Sequence, residues 1–281
     1  DFHSKVESYS NIVCGPAMEA DPSFNPKCFL EFKSDDPDSA FHFVDTMSSR
    51  AGIFDLNKPF ENHVISIIGL GGTGNYVLDY ISKMPVAEVR LFDDDKFFVH
   101  NAFRRAGSTT EDDFGKSKVD LFSKNYGTFH KNIIPFKKRI TSKDHLDVIG
   151  SDFAFVCVDH GDSRMAIARA LMDNKIPFLD VGMGLSRGKN GLNGMVRTTL
   201  FNDSECTDLV ATGLLPTKDA EDDIYSSNIQ IAELNALNAS LAVIKYKQLF
   251  GFFETENGGF HSLFDIASSS LFFRTENECD E

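Results

Sequence analysis

At 281 residues the chain is far past the size at which a core needs disulfide or metal staples, and it has room for one large or two modest domains. Its 42 acids against 28 bases leave a net charge of −14, so the chain as a whole repels nucleic-acid backbone and anionic lipid, and any nucleotide must be held by a local site. A composition of 42% hydrophobic and 25% charged residues argues against long disorder, and without an apolar run near ~18 residues or a secretory leader pattern the expectation is a soluble, cytoplasmic protein.

The first sixty residues read as irregular, because Pro16, Pro22 and Pro26 and the acids Asp35, Asp36 and Asp38 interrupt any long element. A short strand near Cys28 to Phe32 and a helix near Ser39 to Ser49 are expected there. From His63 the pattern changes. His63 to Ile68 is rich in β-branched residues and ends at Gly69, and Val77, Leu78, Ile81 and Met84 then share one helical face, which predicts strand, turn and helix. Val86 to Phe92 alternates towards three aspartates and reads as a second strand. Further strands are expected at Ile133 to Phe136, Phe153 to Val158 and Pro177 to Val181, separated by helices near Lys116 to Lys124, Ser142 to Ile149 and Asp162 to Asn174. Strand and helix alternating at this spacing predict an α/β fold with a mostly parallel sheet and flanking helices. Glycines loosen Gly184 to Arg187 and Gly191 to Gly194 before a strand at Met195 to Phe201, and the acidic segment Asn202 to Asp223 reads as a mobile surface loop. The longest helix, Ser227 to Leu249, places Leu234, Leu237, Leu241 and Ile244 on a stripe expected to face the sheet. Two Phe-rich strands, Phe260 to Ile266 and Leu271 to Phe273, close the chain as an antiparallel C-terminal extension.

Gly69-Leu70-Gly71-Gly72-Thr73-Gly74 fits G-x-G-x-x-G between a strand and a helix, where missing side chains let backbone amides approach a phosphate. Asp93 follows at the end of the second strand, placed to accept hydrogen bonds from a ribose. These features suit NAD or FAD as readily as ATP. The residues beyond them discriminate: Asp93, Asp94 and Asp95 are followed by Asn101, Arg104 and Arg105, then Lys116 and Lys118. Hydride transfer has no need of such a set, whereas grouped cations suit a triphosphate under attack at its α-phosphorus.

With these residues the chain resembles the ubiquitin-activating-enzyme-like ThiF/MoeB/HesA adenylyltransferases, from about His63 to Gly184 and more weakly over Ser227 to Gly251. The family pattern stands here as Gly69 to Gly74, Asp93 and Asp95, Asn101 and Arg104, Gly115 and Lys118, and as Asp159 with Arg164 in V-C-V-D-H-G-D-S-R. The resemblance implies a Rossmann-like adenylation domain over residues 61–281; it does not cover residues 1–60, which read as an N-terminal extension, with the remnant of a larger domain as one reading. It implies ATP and Mg2+, the glycines Gly69, Gly71, Gly72 and Gly74 and the acids Asp93 and Asp95 on the nucleotide, Asn101, Arg104 and Lys118 on the phosphates, and Asp159 near the metal. Arg105 stands where the family often has Gln and His160 where it often has Asn. The paired C-x-x-C zinc ligands of many members are missing from the sequence, so no zinc is expected.

Cys206, within F-N-D-S-E-C-T-D, falls roughly where many members carry the cysteine that receives the activated carboxyl as a thioester. Its neighbours Glu205 and Asp208 would raise a thiol's pKa, so an acceptor role and an incidental surface thiol both stand. Cys157 reads as core, and Arg50 either as a surface residue or as an arginine offered to a neighbouring subunit's ATP. The expected activity is ATP-dependent activation of the C-terminal carboxylate of a ubiquitin-like protein or peptide by a homodimer. The alternatives are an adenylating enzyme acting on a modified tRNA carboxylate, which the net charge disfavours, and an NAD-dependent oxidoreductase.

Overall fold

The computed structural model describes residues 1–21, 34, 36–140, 150–159, 161–202, 215, 229–256 and 259–274. The strand expected near Cys28, the helix expected at Ser142 to Ile149 and, apart from Asn202 and Leu215, the acidic loop with Cys206 lie outside them. The N-terminal region departs from expectation. Helix α1 (Phe2–Ala20) runs straight through Pro16 and is capped by Asp1, whose carboxylate accepts the His3 N–H at 2.6 Å. None of its residues is buried, so no core-facing stripe betrayed it, and a proline inside a helix ordinarily signals a break. The helix expected over Ser39 to Ser49 contracts to α2 (Thr46–Ala51), held by the Asp45 cap, while Phe41 forms a β-bridge with His130. Helix α3 (Phe54–Asn57) leads into the sheet.

Eight strands make one sheet in the order β3-β2-β1-β4-β5-β6-β7-β8. Strands β1 (Val64–Ile68), β2 (Glu88–Phe92), β3 (Ile133–Phe136), β4 (Phe153–Val156) and β5 (Phe178–Arg187) are parallel. Strands β6 (Leu192–Phe201), β7 (His261–Asp265) and β8 (Ser270–Arg274) then add antiparallel, each to the one before it, with α8 in the connection from β6 to β7. The expected Rossmann-like α/β fold is thus the one observed. Helices α4 (Gly72–Ile81), α5 (Val99–Ala102), α6 (Lys118–Tyr126), α7 (Gly161–Asp173) and α8 (Ala232–Leu249) connect or cover it. Strand β4 is buried at every residue, which is why it reads as an unbroken apolar run. On one face Ile65 and Ile67 pack with Val77, Leu78 and Ile81 of α4 and Ala242 and Tyr246 of α8; on the other Ile68, Ala154 and Val156 pack with Ile167 and Leu171 of α7. Each such aliphatic side chain contributes about 1.5–3 kcal/mol of burial.

Two expectations about packing are corrected. The stretch from Gly184 to Arg187 is no loose linker, because β5 continues through it and pairs with β6 as far as Leu192. Gly194 makes this possible: it lies at φ +148, and a Cβ there would stand 1.9 Å from the Gly184 carbonyl oxygen. On α8 the buried face is Asn235, Asn238, Ala239, Ala242, Val243 and Tyr246, whereas Ile244 is exposed. Small residues win that face because they let α8 approach α4 and the sheet closely, so the leucine stripe is turned sideways and outward.

A buried histidine gives the fold a pH dependence. His130 is fully buried, donates from Nε2 to the Val86 carbonyl at 3.1 Å and accepts the Asn132 N–H on Nδ1 at 3.2 Å, and this second bond requires the neutral ring. Burial lowers its pKa to about 4, and that of His63, which bonds the Tyr246 hydroxyl, moves the same way for the same reason. Above pH ~6.5 the folded and unfolded chains are both neutral at these sites. As the pH falls from there towards 4 the unfolded chain takes up a proton at His130 that the fold refuses, which removes up to about 1.4 kcal/mol per pH unit, and His63 acts in the same direction. His130→Gln is expected to flatten this acid limb, read as unfolding free energy from urea titrations between pH 4 and 6.5; an unchanged slope would assign the limb to other groups.

Candidate active site

In a sheet ordered 3-2-1-4-5, the chain leaves β1 towards one edge and β4 towards the other, so the loops at their C-terminal ends diverge and open a crevice. The glycine turn follows β1 on one side of this crevice and Asp159 follows β4 on the other. Three of the four motif glycines are required by packing. Gly69 lies at φ +91 with its Cβ position 2.8 Å from the Cys157 carbonyl oxygen; a Cβ on Gly74 would meet the Gly69 oxygen at 1.9 Å, and one on Gly72 would meet Asn235 Nδ2 at 2.1 Å. Gly71 is different. A Cβ there would meet nothing within 4 Å, and Gly71 is the cap residue of α4 without a side-chain hydrogen bond. The turn is therefore packed from below and open where the uncapped amides of a helix N-terminus emerge.

Asp93, at the end of β2, is 9% exposed and braces this turn from the side. One carboxylate oxygen accepts the Leu70 N–H at 2.7 Å and the other accepts the Asp95 N–H at 2.8 Å. Lys118, at the start of α6 and 5% exposed, donates to Asp95 at 2.7 Å and to Asp93 at 3.4 Å. Burial pushes the Asp93 carboxyl up, and the Lys118 ammonium and the two amides oppose that push. Asp93, Asp94 and Asp95 bring carboxylate oxygens within 4.8 Å of one another, with the Lys118 charge already among them.

The cations expected on phosphate separate into two groups. Arg104 is half-buried, and its Nε is buried without a hydrogen-bond partner. Burial draws its pKa down while the Asp159 and Asp95 carboxylates pull it back, so its charge sits between the ends of β4 and β2. Arg105 turns the other way. Its guanidinium lies 5.3 Å from the ring centres of both Phe97 and Phe122 and donates to the Ala106 and Ser108 carbonyls, so this departure from the family pattern is a packing residue. Lys116 faces Asp113 at the surface at 3.9 Å. Asn101 is buried, and its Oδ1 accepts the Phe98 N–H at 2.8 Å, which holds α5 and leaves its Nδ2 donor.

Asp159 is exposed at the mouth of the crevice, beside His160, which lies outside the described residues. The second half of the V-C-V-D-H-G-D-S-R signature has a structural task. Arg164 donates to the Val158 carbonyl, directly before Asp159, and pairs with the fully buried Asp180 at 3.0 Å as an off-axis ion pair. Arg197 of β6 contacts the other oxygen of Asp180. Cys157 is core as expected, and burial pushes its thiol up. Arg50 lies exposed in the last turn of α2. Two site residues went unrecognised in the sequence, Asn75 and Asn235, each 1% exposed. The available signal was an amide recurring at helical spacing, Asn235 and Asn238, followed on the same face by the small residues Ala239 and Ala242.

Comparison with known proteins agrees with this arrangement. The chain is 26% identical over 161 residues to the ubiquitin-like modifier-activating enzyme 5 of Drosophila virilis, covering 52% of this chain and 39% of that protein. It is 24% identical over 172 residues to the Dictyostelium discoideum protein of the same name, covering 56% and 44%. The chain thus spans well under half the length of these curated relatives. Among solved structures, E. coli MccB with ATP superposes at a TM-score of 0.61 and 17% identity, over 79% of this chain and 66% of that one. PaaA does so at 0.63 and 16%, over 96% and 82%. At such identities these likenesses show the fold. Because the ThiF family model matches residues 50–276, which contain the whole sheet and the crevice, the chain belongs to the ThiF family.

Proposed function

We propose that this chain is an ATP-dependent adenylyltransferase that activates the C-terminal carboxylate of a ubiquitin-like protein or peptide. The observation that carries the reading is the open Gly71 face of the glycine turn, with Arg104, whose buried Nε has no hydrogen-bond partner, on a segment tied to that turn through Asn235: amides and a guanidinium without an acid on that nitrogen suit a polyphosphate. The names of relatives support the substrate class, since one group is ubiquitin-like modifier-activating enzymes and E. coli MccB has been solved with ATP and with MccA. In this reading residues 61–281 form the adenylation domain. Asp93 and Asp95 would take the ribose side, Asn101 Nδ2, Arg104 and Lys118 the phosphates, and Asp159 would hold an Mg2+ ion, whose charge would offset that on the pyrophosphate leaving group. The substrate carboxylate is already a nucleophile, so this chain needs no general base. Its oxygen bonds to the α-phosphorus of ATP as the bond to the pyrophosphate oxygen breaks. The protein contributes alignment of the two reactants and offset of the charge that builds on the leaving group.

The test is ATP:pyrophosphate exchange with ubiquitin-like proteins ending in glycine and with short peptides. Exchange that requires Mg2+ and the partner, and that Asp159→Ala loses, is expected. Protein that carries NAD and shows no exchange with any partner would overturn the reading. Gly71→Ala separates fold from site: its stability should stay within about 1 kcal/mol of wild type, while affinity for Mg·ATP falls at least about tenfold. Equal affinity would place the phosphates elsewhere. Transfer of the acyl group to Cys206 is a finer step of the same proposal, with a reducible conjugate that Cys206→Ala lacks while exchange persists. A homodimer is proposed as well, supported by Ile244, exposed on α8 next to the half-buried Leu237 and Leu241, and light scattering of the full chain tests it.

A further inference from the structure

Two buried asparagines stand between the glycine turn and the segment that carries Arg104. Asn235 reaches from the first turn of α8 to the first turn of α4, where Thr73 Oγ1 donates to its Oδ1 at 2.9 Å. Its Nδ2 donates to the Arg104 carbonyl at 3.4 Å. The amide lies so close on the turn that a side chain at Gly72 would overlap it, the Cβ falling 2.1 Å from Nδ2. Asn75, on α4 itself, accepts the Ala106 N–H on Oδ1 at 2.8 Å. The backbone of residues 104–106 is thereby tied at both ends to the helix whose N-terminus forms the open turn. An amide suits position 235 because it must accept from a hydroxyl and donate to a carbonyl at once, which neither a carboxylate nor an apolar side chain can do.

We propose that Asn235 is a positioning residue for Arg104: together with Asn75 it sets the separation between the Gly71 amides and the Arg104 guanidinium before nucleotide arrives. This rests on the nucleotide reading above. The Arg104 Nε has no hydrogen-bond partner, so the placement of its guanidinium depends on where its backbone is held. Fixing that backbone in advance removes an ordering loss that binding would otherwise carry. The phosphate half of the ligand should feel this and the nucleoside half should not.

Titration calorimetry on the full chain with Mg·ATP, and separately with adenosine, tests the proposal. Asn235→Ala is expected to weaken Mg·ATP about tenfold and to leave adenosine affinity unchanged. In a double-mutant cycle, Arg104→Ala should lose much less affinity in the Asn235→Ala background than in wild type, since the two act on one interaction. Equal losses for Mg·ATP and adenosine, or additive effects of the two substitutions, would make Asn235 a packing residue and overturn the proposal. If circular dichroism shows Asn235→Ala unfolded, Thr73→Val takes its place with the same expected split, and Thr73→Ser should restore the wild-type ratio. A wild-type chain that binds no Mg·ATP would defeat the nucleotide reading and this inference with it; a wild-type chain that binds it, with Asn235→Ala indistinguishable, would defeat this inference alone.

Discussion

Replacing Lys118 by methionine is expected to destabilise the protein by about 3–5 kcal/mol, because it strips a buried carboxylate of its cation. Asp93 has a side chain only 8% exposed and Asp95 one that is 68% exposed, so Asp93 is the partner left stranded. Water can take over the charge of Asp95, which keeps the figure towards the lower end. The double variant Lys118→Met with Asp93→Asn should recover part of the stability, since an amide needs no counter-charge and its oxygen can still accept the Leu70 N–H, although its NH2 group cannot accept the Asp95 N–H. Adenylation should stay absent in both, because neither restores a cation to the phosphate side. Urea titration and pyrophosphate exchange on the same two variants check this. Recovery of exchange in the double variant would show that Lys118 serves only to neutralise Asp93.

Asp180→Ala should have the largest effect on stability of any single change considered. The carboxylate is wholly buried between Arg164 and Arg197, whose side chains are 8% and 13% exposed. Its loss leaves two guanidinium groups facing each other without an anion, at a cost of about 3–5 kcal/mol or more. A thermal midpoint lower by on the order of 10 °C follows from about 2–4 °C per kcal/mol for a chain of this size. Adding Arg164→Leu removes one of the two stranded cations and should return part of that loss. If Asp180→Ala melts within a degree or two of wild type, water reaches the pair and the ion network contributes little to the fold.

What could be read from the sequence was local. The strand ending at Gly69, the glycine turn and the acid at the end of β2 lie within one supersecondary unit, where period and spacing carry the information. Properties that depend on a distant partner were hidden. Arg104 and Arg105 are adjacent and chemically alike, yet one faces Asp159 and the other is drawn between Phe97 and Phe122. Arg164 reads as part of a catalytic signature and instead meets Asp180 on another strand. Helix α8 was legible as a helix, but its buried face was not, because the choice between leucines and small residues is made by the closeness of α4. Helix α1 escaped notice because it buries nothing.

The path of α8 has a consequence for how the protein is made. At one end it delivers Asn235 to the glycine turn, and about 16 Å along the same helix Tyr246 meets the ring of His63 just before β1. Both partners are synthesised long before α8 itself. Until the helix has left the ribosome, Ile65, Ile67 and the apolar side of α4 have no cover from it, and the Arg104 backbone lacks one of its two ties. A chain ending near residue 230 would therefore leave one apolar face of the sheet in water, the kind of exposed surface that favours aggregation. One helix, the last in the chain among the described residues, thus covers that sheet face and ties the glycine turn.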